Sequence, residues 1–208
     1  MSRALTVALA FGVLCAGSAE AQTIRLGLSG LGMSYAETNE SRSWDGGGGA
    51  ASLVLRLGRF GLDAYGFTAK LKADSSNVSD FDVLQGDVRA SFFIVPVIAV
   101  ELGFGRRATD PDFAAQDLGL WRFGILSEMP LTRLGIIWIR GAYLAPRFEG
   151  GGDVGLSAEI GLGIAVGTAN GRFRVRADYE FQRIDRKVDN QDVPLQMSLA
   201  KLGLEVGF

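Results

Sequence analysis

From residue 22 onward, apolar and polar residues alternate with a period of two in about ten separate runs. The runs cover residues 23–36, 47–58, 61–72, 81–94, 97–106, 118–128, 134–146, 154–167, 172–184 and 195–208. In the eighth, Val154, Leu156, Ala158, Ile160, Leu162, Ile164 and Val166 share one face, and Gly155, Ser157, Glu159, Gly161, Gly163, Ala165 and Gly167 share the other. In the ninth, Phe173, Val175, Ala177, Tyr179 and Phe181 oppose Arg172, Arg174, Arg176, Asp178, Glu180 and Gln182. Successive side chains of a strand point to opposite faces of its sheet, so each run predicts a β-strand with one apolar face. No segment of helical period has comparable strength.

The connections alternate in length. Residues 59–60, 95–96, 129–133 and 168–171 are tight links, with a break at Pro96 and a turn signal at Asn170-Gly171. Residues 37–46, 73–80, 107–117, 147–153 and 185–194 are longer and rich in Asp, Asn, Ser, Gly and Arg. Short turns at one end and longer loops at the other fit a membrane barrel, and an even strand count puts both chain ends on the short side. The fold expected for residues 22–208 is therefore all-β: a single antiparallel up-and-down transmembrane β-barrel of ten strands, with eight as the alternative count. Residues 1–21 read as a secretory signal peptide, with Arg3 in the basic segment, an apolar run from Ala4 to Ala16, and Ala19-Glu20-Ala21 before the cut. The single cysteine, Cys15, falls inside that leader, so the exported chain is expected to use neither disulfides nor thiol chemistry. After the leader no apolar run approaches the roughly 18 residues of a spanning helix, which leaves a closed barrel as the way across a bilayer.

Composition narrows the chemistry. A net charge of −2 does not favour a nucleic-acid partner, and none is expected. The chain has no histidine, which removes Ser-His-Asp catalysis and histidine-based metal sites. Gly46 to Gly49 form a glycine run without the Lys-Ser/Thr of a phosphate-binding loop. A carboxylate pair such as Glu159 and Glu180 could in principle transfer protons, but charges inside a small barrel mostly pair with each other. The expectation is a protein that is not an enzyme and needs no cofactor or metal.

Bulk decides which face points inward. A soluble barrel places apolar residues inside, and a membrane barrel does the reverse. The Arg-Asp-Glu face of run nine lies beside a Gly-Ser-Ala face on run eight, an arrangement that suits a crowded lumen in which glycines make room for guanidinium groups. Phe92, Phe104, Trp121, Phe123, Tyr143, Phe173, Tyr179 and Phe181 then face outward, as in interfacial girdles. Trp138 falls on the inner face beside Arg140, where it can cap a guanidinium by cation–π contact.

The lumen residues carry the candidate function. Pairing each hairpin about the middle of its connection puts Arg89 opposite Glu101, Glu101 opposite Arg122, Arg122 beside Arg140, and Arg140 opposite Glu159. Arg56, Arg174, Arg176, Asp178 and Glu180 extend this ribbon of mostly alternating sign. Two classes follow. A paired network plugs the barrel, which becomes a structural or interaction module, or Gly103, Gly105, Gly124, Gly161 and Gly163 leave a narrow, low-conductance water path for small ions or solutes.

The last strand adds a resemblance. Leu202, Leu204, Val206 and Phe208 alternate up to a terminal phenylalanine, with Gly203 among them. This pattern resembles the assembly signal of Gram-negative outer-membrane β-barrels, and with the leader and the ten runs the resemblance covers nearly all of residues 22–208. It implies an outer-membrane location, contact with outer-membrane lipid and lipopolysaccharide, and recognition of the final strand by the barrel assembly machinery. No narrower family is matched.

Overall fold

The computed structural model describes residues 22–39, 42–111, 116–149, 151, 153–168, 171–188 and 191–208. The expected leader, residues 1–21, lies outside the described residues. Ten long strands are present: β1 (Gln22–Glu37), β2 (Arg42–Leu57), β3 (Phe60–Ala73), β4 (Phe81–Val95), β5 (Ile98–Asp110), β6 (Leu118–Pro130), β7 (Gly135–Phe148), β8 (Asp153–Gly167), β9 (Phe173–Val188) and, after the two-residue β10 (Gln191–Asp192), β11 (Leu195–Gly207). Sequential neighbours pair antiparallel, β11 pairs with both β9 and β1, and β8 pairs with β9, so the sheet closes on itself. The ten-strand barrel expected from the alternation is the one formed.

The seam joins the two ends of the chain. Arg25 lies opposite Gly207, and the Phe208 amide donates to the Ile24 carbonyl at 2.9 Å. The start of β1 and the end of β11 therefore sit at the short-turn end of the barrel. Gly203, which the assembly pattern singled out, faces inward here, and a Cβ would collide with the Leu28 carbonyl and Ser29 on β1.

The loops are shorter than the alternation predicted, because the strands run further toward the long-loop end. β2 begins at Arg42, so the Gly46–Gly49 run is strand rather than loop edge. Gly46 and Gly48 face inward, and a Cβ on either would run into the carbonyl oxygen of Lys70 or Thr68 on β3. Glycine is what lets these two backbones approach.

The reason for the short reading of the strands is an inversion of the pattern. On β1, Ile24, Leu26 and Leu28 point outward while Arg25, Gly27 and Ser29 point inward. Beyond Ser29 the phase reverses, with Leu31, Met33 and Tyr35 buried inside and Gly32 and Ser34 outside. β11 inverts likewise between Leu202 and Leu199. The outward charges of the strands, among them Asp45, Lys70, Lys72, Arg106, Arg147 and Arg183, all lie toward the long loops. Below them the outer wall is uncharged and apolar, with Leu28 and Leu156 about three-quarters exposed at 73% and 75%. On β9 this band runs from Phe173 to Phe181, which at about 3.3 Å per residue and a tilt near 40° is roughly 20 Å tall. Phe60 packs on Phe92 at 5.1 Å near the short turns, joined at that end by Phe173 and Phe208; Phe104 packs on Trp121, also at 5.1 Å, further up. All eight aromatics assigned to the outer wall by the alternation point outward.

The interior is layered accordingly. The long-loop half is filled by an apolar core that includes Leu31, Met33, Phe67, Leu71, Leu144 and Leu199, around an edge-to-face cluster of Tyr35, Trp44 and Phe81 with centroids 5.3–5.9 Å apart. Below it lies a charged layer, and below part of that a small cluster of Phe93, Ala99, Leu126 and Trp138.

Candidate functional site

The charged layer is set by inward positions on all strands from β2 to β11. Its partners are not those expected from hairpin midpoints. Three registers differ by two residues and that of β6–β7 by four: Arg89 faces Gly103, Glu101 faces Gly124, Arg140 faces Gly161, and Arg122 faces Leu144. In these four pairings the charge meets a glycine or an apolar residue; Arg89 faces Asp63 on β3, Lys201 faces Asp178 and Glu205 faces Arg174, yet the ion pairs formed run along a strand, diagonally or across the bore. In β4–β5 the turn is Pro96-Val97, with Val95 opposite Ile98, later along the chain than the expected link at 95–96, and the irregularity between Phe93 and Val95 takes back only one residue of that displacement.

Arg89 spans the bore. Its guanidinium reaches Glu180 on β9 at 2.7 Å and Glu159 on β8 at 2.9 Å, the latter as an ion pair without hydrogen-bond alignment. Glu159 also accepts from Arg122 at 2.9 Å and from the Gln182 amide at 2.9 Å, and Glu180 is held by Lys201 at 3.0 Å. Arg122 in turn contacts Asp87. Arg140 grips Glu101 with both ends of its fork, at 2.9 Å for the Nη2 contact, and reaches Asp63 at 3.4 Å. Arg176 joins Asp178 at 2.8 Å to Glu205 at 2.9 Å, and Arg56 joins Asp63 at 3.2 Å to Glu128 at 2.6 Å.

These groups are largely dry, with Arg122 2% and Glu159 1% exposed. Ionised groups out of water are tolerated only when paired and hydrogen-bonded, and here each carboxylate meets at least one cation, with Asp63, Asp87, Glu159 and Glu180 shared between two or more partners. The sites where a porous lumen would need space are taken. A Cβ on Gly105 would fall on Asp87 and Arg122, on Gly163 it would fall on Asp178 and Trp138, and on Gly103 it would press on Arg89 Cγ at 3.0 Å. Glycine makes room for the neighbouring side chains, as the small-beside-large pattern predicted. Trp138 is sandwiched between guanidiniums, with Arg140 Cζ 5.3 Å and Arg176 Cζ 5.4 Å from its ring centroid.

Nine of the ten predicted lumen charges join the network, namely Arg56, Arg89, Glu101, Arg122, Arg140, Glu159, Arg176, Asp178 and Glu180. Arg174 does not; it forms no ion pair among the described residues and lines an opening at the short-turn end. The assembly residues Leu202, Leu204, Val206 and Phe208 all lie on the outer wall, away from the lumen. Sequence reasoning missed Asp63, Asp87, Glu128, Lys201 and Glu205 as partners. Lys201 and Glu205 share the polar face of the last strand, and Asp87 has the same parity as Arg89, so period two alone contained the signal. It also missed Arg107, only 2% exposed, which donates to Gln85 at 2.8 Å and Gln182 at 3.0 Å where the charged layer meets the apolar core.

No protein-family model matches the chain, and no curated protein matches it. Among solved structures it is similar to Neisserial surface protein A, at 12% identity and a TM-score of 0.48, covering 91% of this chain and 100% of that one. It is similar to the outer membrane protease OmpT from Escherichia coli at 9% identity and a TM-score of 0.48, covering 90% and 96%. The translocator domain of the autotransporter NalP from Neisseria meningitidis is similar at 10% identity and a TM-score of 0.46, covering 99% and 95%. These are outer-membrane β-barrels. At such identities none of them lends its activity to this chain.

Proposed function

We propose that the chain is an integral outer-membrane barrel whose lumen is sealed, acting as a non-enzymatic structural or interaction module rather than as a conduit. One observation carries this reading: the bore is obstructed at two successive levels, by ion pairs that cross it from Arg89 to Glu159 and Glu180, and by the apolar core around Tyr35, Trp44 and Phe81. The uncharged outer band supports the membrane placement, since a water-facing wall would gain nothing from exposing leucines and phenylalanines in a continuous belt. The inversion beyond it fits a barrel whose upper part stands clear of the bilayer with its own apolar core. The lack of histidine supports a non-enzymatic role. Outer-membrane lipid and lipopolysaccharide are the partners proposed for the outer wall, and the barrel assembly machinery for the final strand.

The test is single-channel recording of the refolded chain in a planar bilayer, with folding verified by the mobility difference between boiled and unboiled samples. A silent membrane containing folded protein supports the sealed module. Steady discrete openings would replace it with the alternative, a narrow pore for small ions or solutes.

A further inference from the structure

An open space remains at the short-turn end. It is a cavity of about 230 Å³ whose wall includes Thr23, Arg25, Arg56, Glu128, Ile136 and Arg174, the inward residues closest to the turns, which are partly exposed. Its inner wall is formed by Trp138, Arg140 and Arg176. A space of this size admits a small ion with some of its water, and is below the range of drug-sized ligand sites.

The arginines facing this space fall into two sets. Arg56, Arg140 and Arg176 are held by Asp63, Glu128, Glu101, Asp178 and Glu205. Arg25 and Arg174, at the mouth, form no ion pair among the described residues; Arg25 donates to the Gly171 carbonyl at 3.1 Å, and Glu205, the carboxylate on the same wall, is committed to Arg176. The two arginines without an ion pair are therefore at the entrance. The short turns add positive charge beside them, since residues 58–59, 96–97 and 131–134 contain Arg59 and Arg133 and no Asp or Glu. An independent observation comes from within: Trp138 is only 5% exposed, lines the cavity, and its indole N–H has no hydrogen-bond acceptor. A buried donor left unpaired carries a desolvation penalty that an acceptor in the cavity would remove.

We propose that this end of the lumen is an oxyanion-binding vestibule, in which Arg25 and Arg174 take up a phosphate or carboxylate group entering from the short-turn side and the Trp138 indole N–H meets it at the inner wall. Guanidinium forks match both groups bidentately. The basic turns raise the local anion concentration at the mouth. The site lies below the seal and is independent of whether the barrel conducts, so failure of one reading leaves the other standing. The oxyanion has two possible sources, a soluble ion or the headgroup of a lipid bordering the short-turn rim.

The refolded chain in zwitterionic micelles is titrated with inorganic phosphate, and separately with phosphatidylglycerol doped into the micelles, while tryptophan fluorescence and the phosphorus-31 linewidth are followed. Sodium chloride at matched ionic strength is the control. Saturable binding of phosphate beyond the chloride control, weakened roughly tenfold or more in Arg25→Gln and Arg174→Gln and little changed in Arg133→Gln, supports a site for a soluble anion. Saturation only with phosphatidylglycerol, lost in the same two variants, supports the same arginine site with a headgroup as its source. No saturable response to either probe, or a response that survives in the Arg25→Gln/Arg174→Gln double variant, overturns the proposal. The phosphorus linewidth reads binding directly even if fluorescence from Trp44 and Trp121 masks Trp138.

Discussion

Arg89 of β4 and Glu180 of β9 meet across the bore, 2.7 Å apart, although their strands are not neighbours in the sheet. The contact ties opposite walls of the barrel together, and it does so where water is largely absent. Its removal has a definite cost.

Arg89→Ala strips one cation from both Glu159 and Glu180. Breaking a buried pair by removing one partner typically costs about 3–5 kcal/mol, because the remaining charge stays buried. Arg122 and Lys201 still hold the two carboxylates, so the loss should fall toward the lower end of that range. Equilibrium urea unfolding of the refolded barrel measures it. Arg89→Lys should recover only part, since one ammonium cannot span both carboxylates as a guanidinium does.

The lumen glycines make a sharper distinction. Gly105→Val would place side-chain atoms where Asp87 and Arg122 already lie, and Gly163→Val where Asp178 and Trp138 lie. Neither should yield folded protein in a boiled-versus-unboiled gel assay. Gly30→Ala and Gly32→Ala, on the outer wall with nothing near the added carbon, should fold like the parent. Folding of both lumen variants at parental yield would mean that the bore is roomier than its contacts imply.

Much of this was legible in the sequence, and the limits are physical. Period two alone located all ten long strands and placed in the lumen nine charges that form ion pairs there, in three groups. It misassigned their partners, because Arg89 and Glu180 are 91 residues apart and nothing local records a contact across a closed barrel. Hairpin midpoints also mislead when the turn is not centred on the expected link, as in β4–β5, where Val95 faces Ile98 around Pro96-Val97. The apolar seal escaped for a different reason. Leu31, Met33 and Tyr35 share a face with Arg25 and Ser29, so a reading that assigns one face to lipid along the whole strand loses the point where the phase reverses. Loop boundaries suffered likewise, with polar outer positions such as Asp45, Arg147 and Lys187 resembling loop residues.

That inversion predicts where the bilayer acts. Leu162 is half exposed on the outer band of β8, and Leu162→Arg should cost about 2–4 kcal/mol if it sits near the midplane. Lys70→Glu, beyond the band, should be close to neutral. Unfolding in lipid vesicles compared with unfolding in detergent separates a lipid-facing wall from a merely exposed one. Equal tolerance of both substitutions would remove the membrane placement.

The two obstructions in the bore should be separable by conductance. Arg140→Ala frees Glu101 and thins the charged layer, but the Tyr35, Trp44 and Phe81 cluster above it stays packed, so this variant should be less stable and still silent. Combining Arg140→Ala with Phe81→Ala should give measurable openings if the barrel survives. Openings from Arg140→Ala alone would show that the charged layer is the sole barrier.

Phe208 separates recognition from stability. Its side chain is 69% exposed on the outer wall, and its described polar contact is the backbone bond from its amide to Ile24, which any residue can make. Phe208→Ala should therefore change the unfolding midpoint of the refolded barrel little. If the terminal aromatic is what the barrel assembly machinery reads, the same substitution should sharply lower the amount of folded barrel in the outer membrane of cells expressing the exported chain. A variant that loses stability in vitro by as much as it loses abundance in cells would assign the phenylalanine to packing at the lipid interface instead.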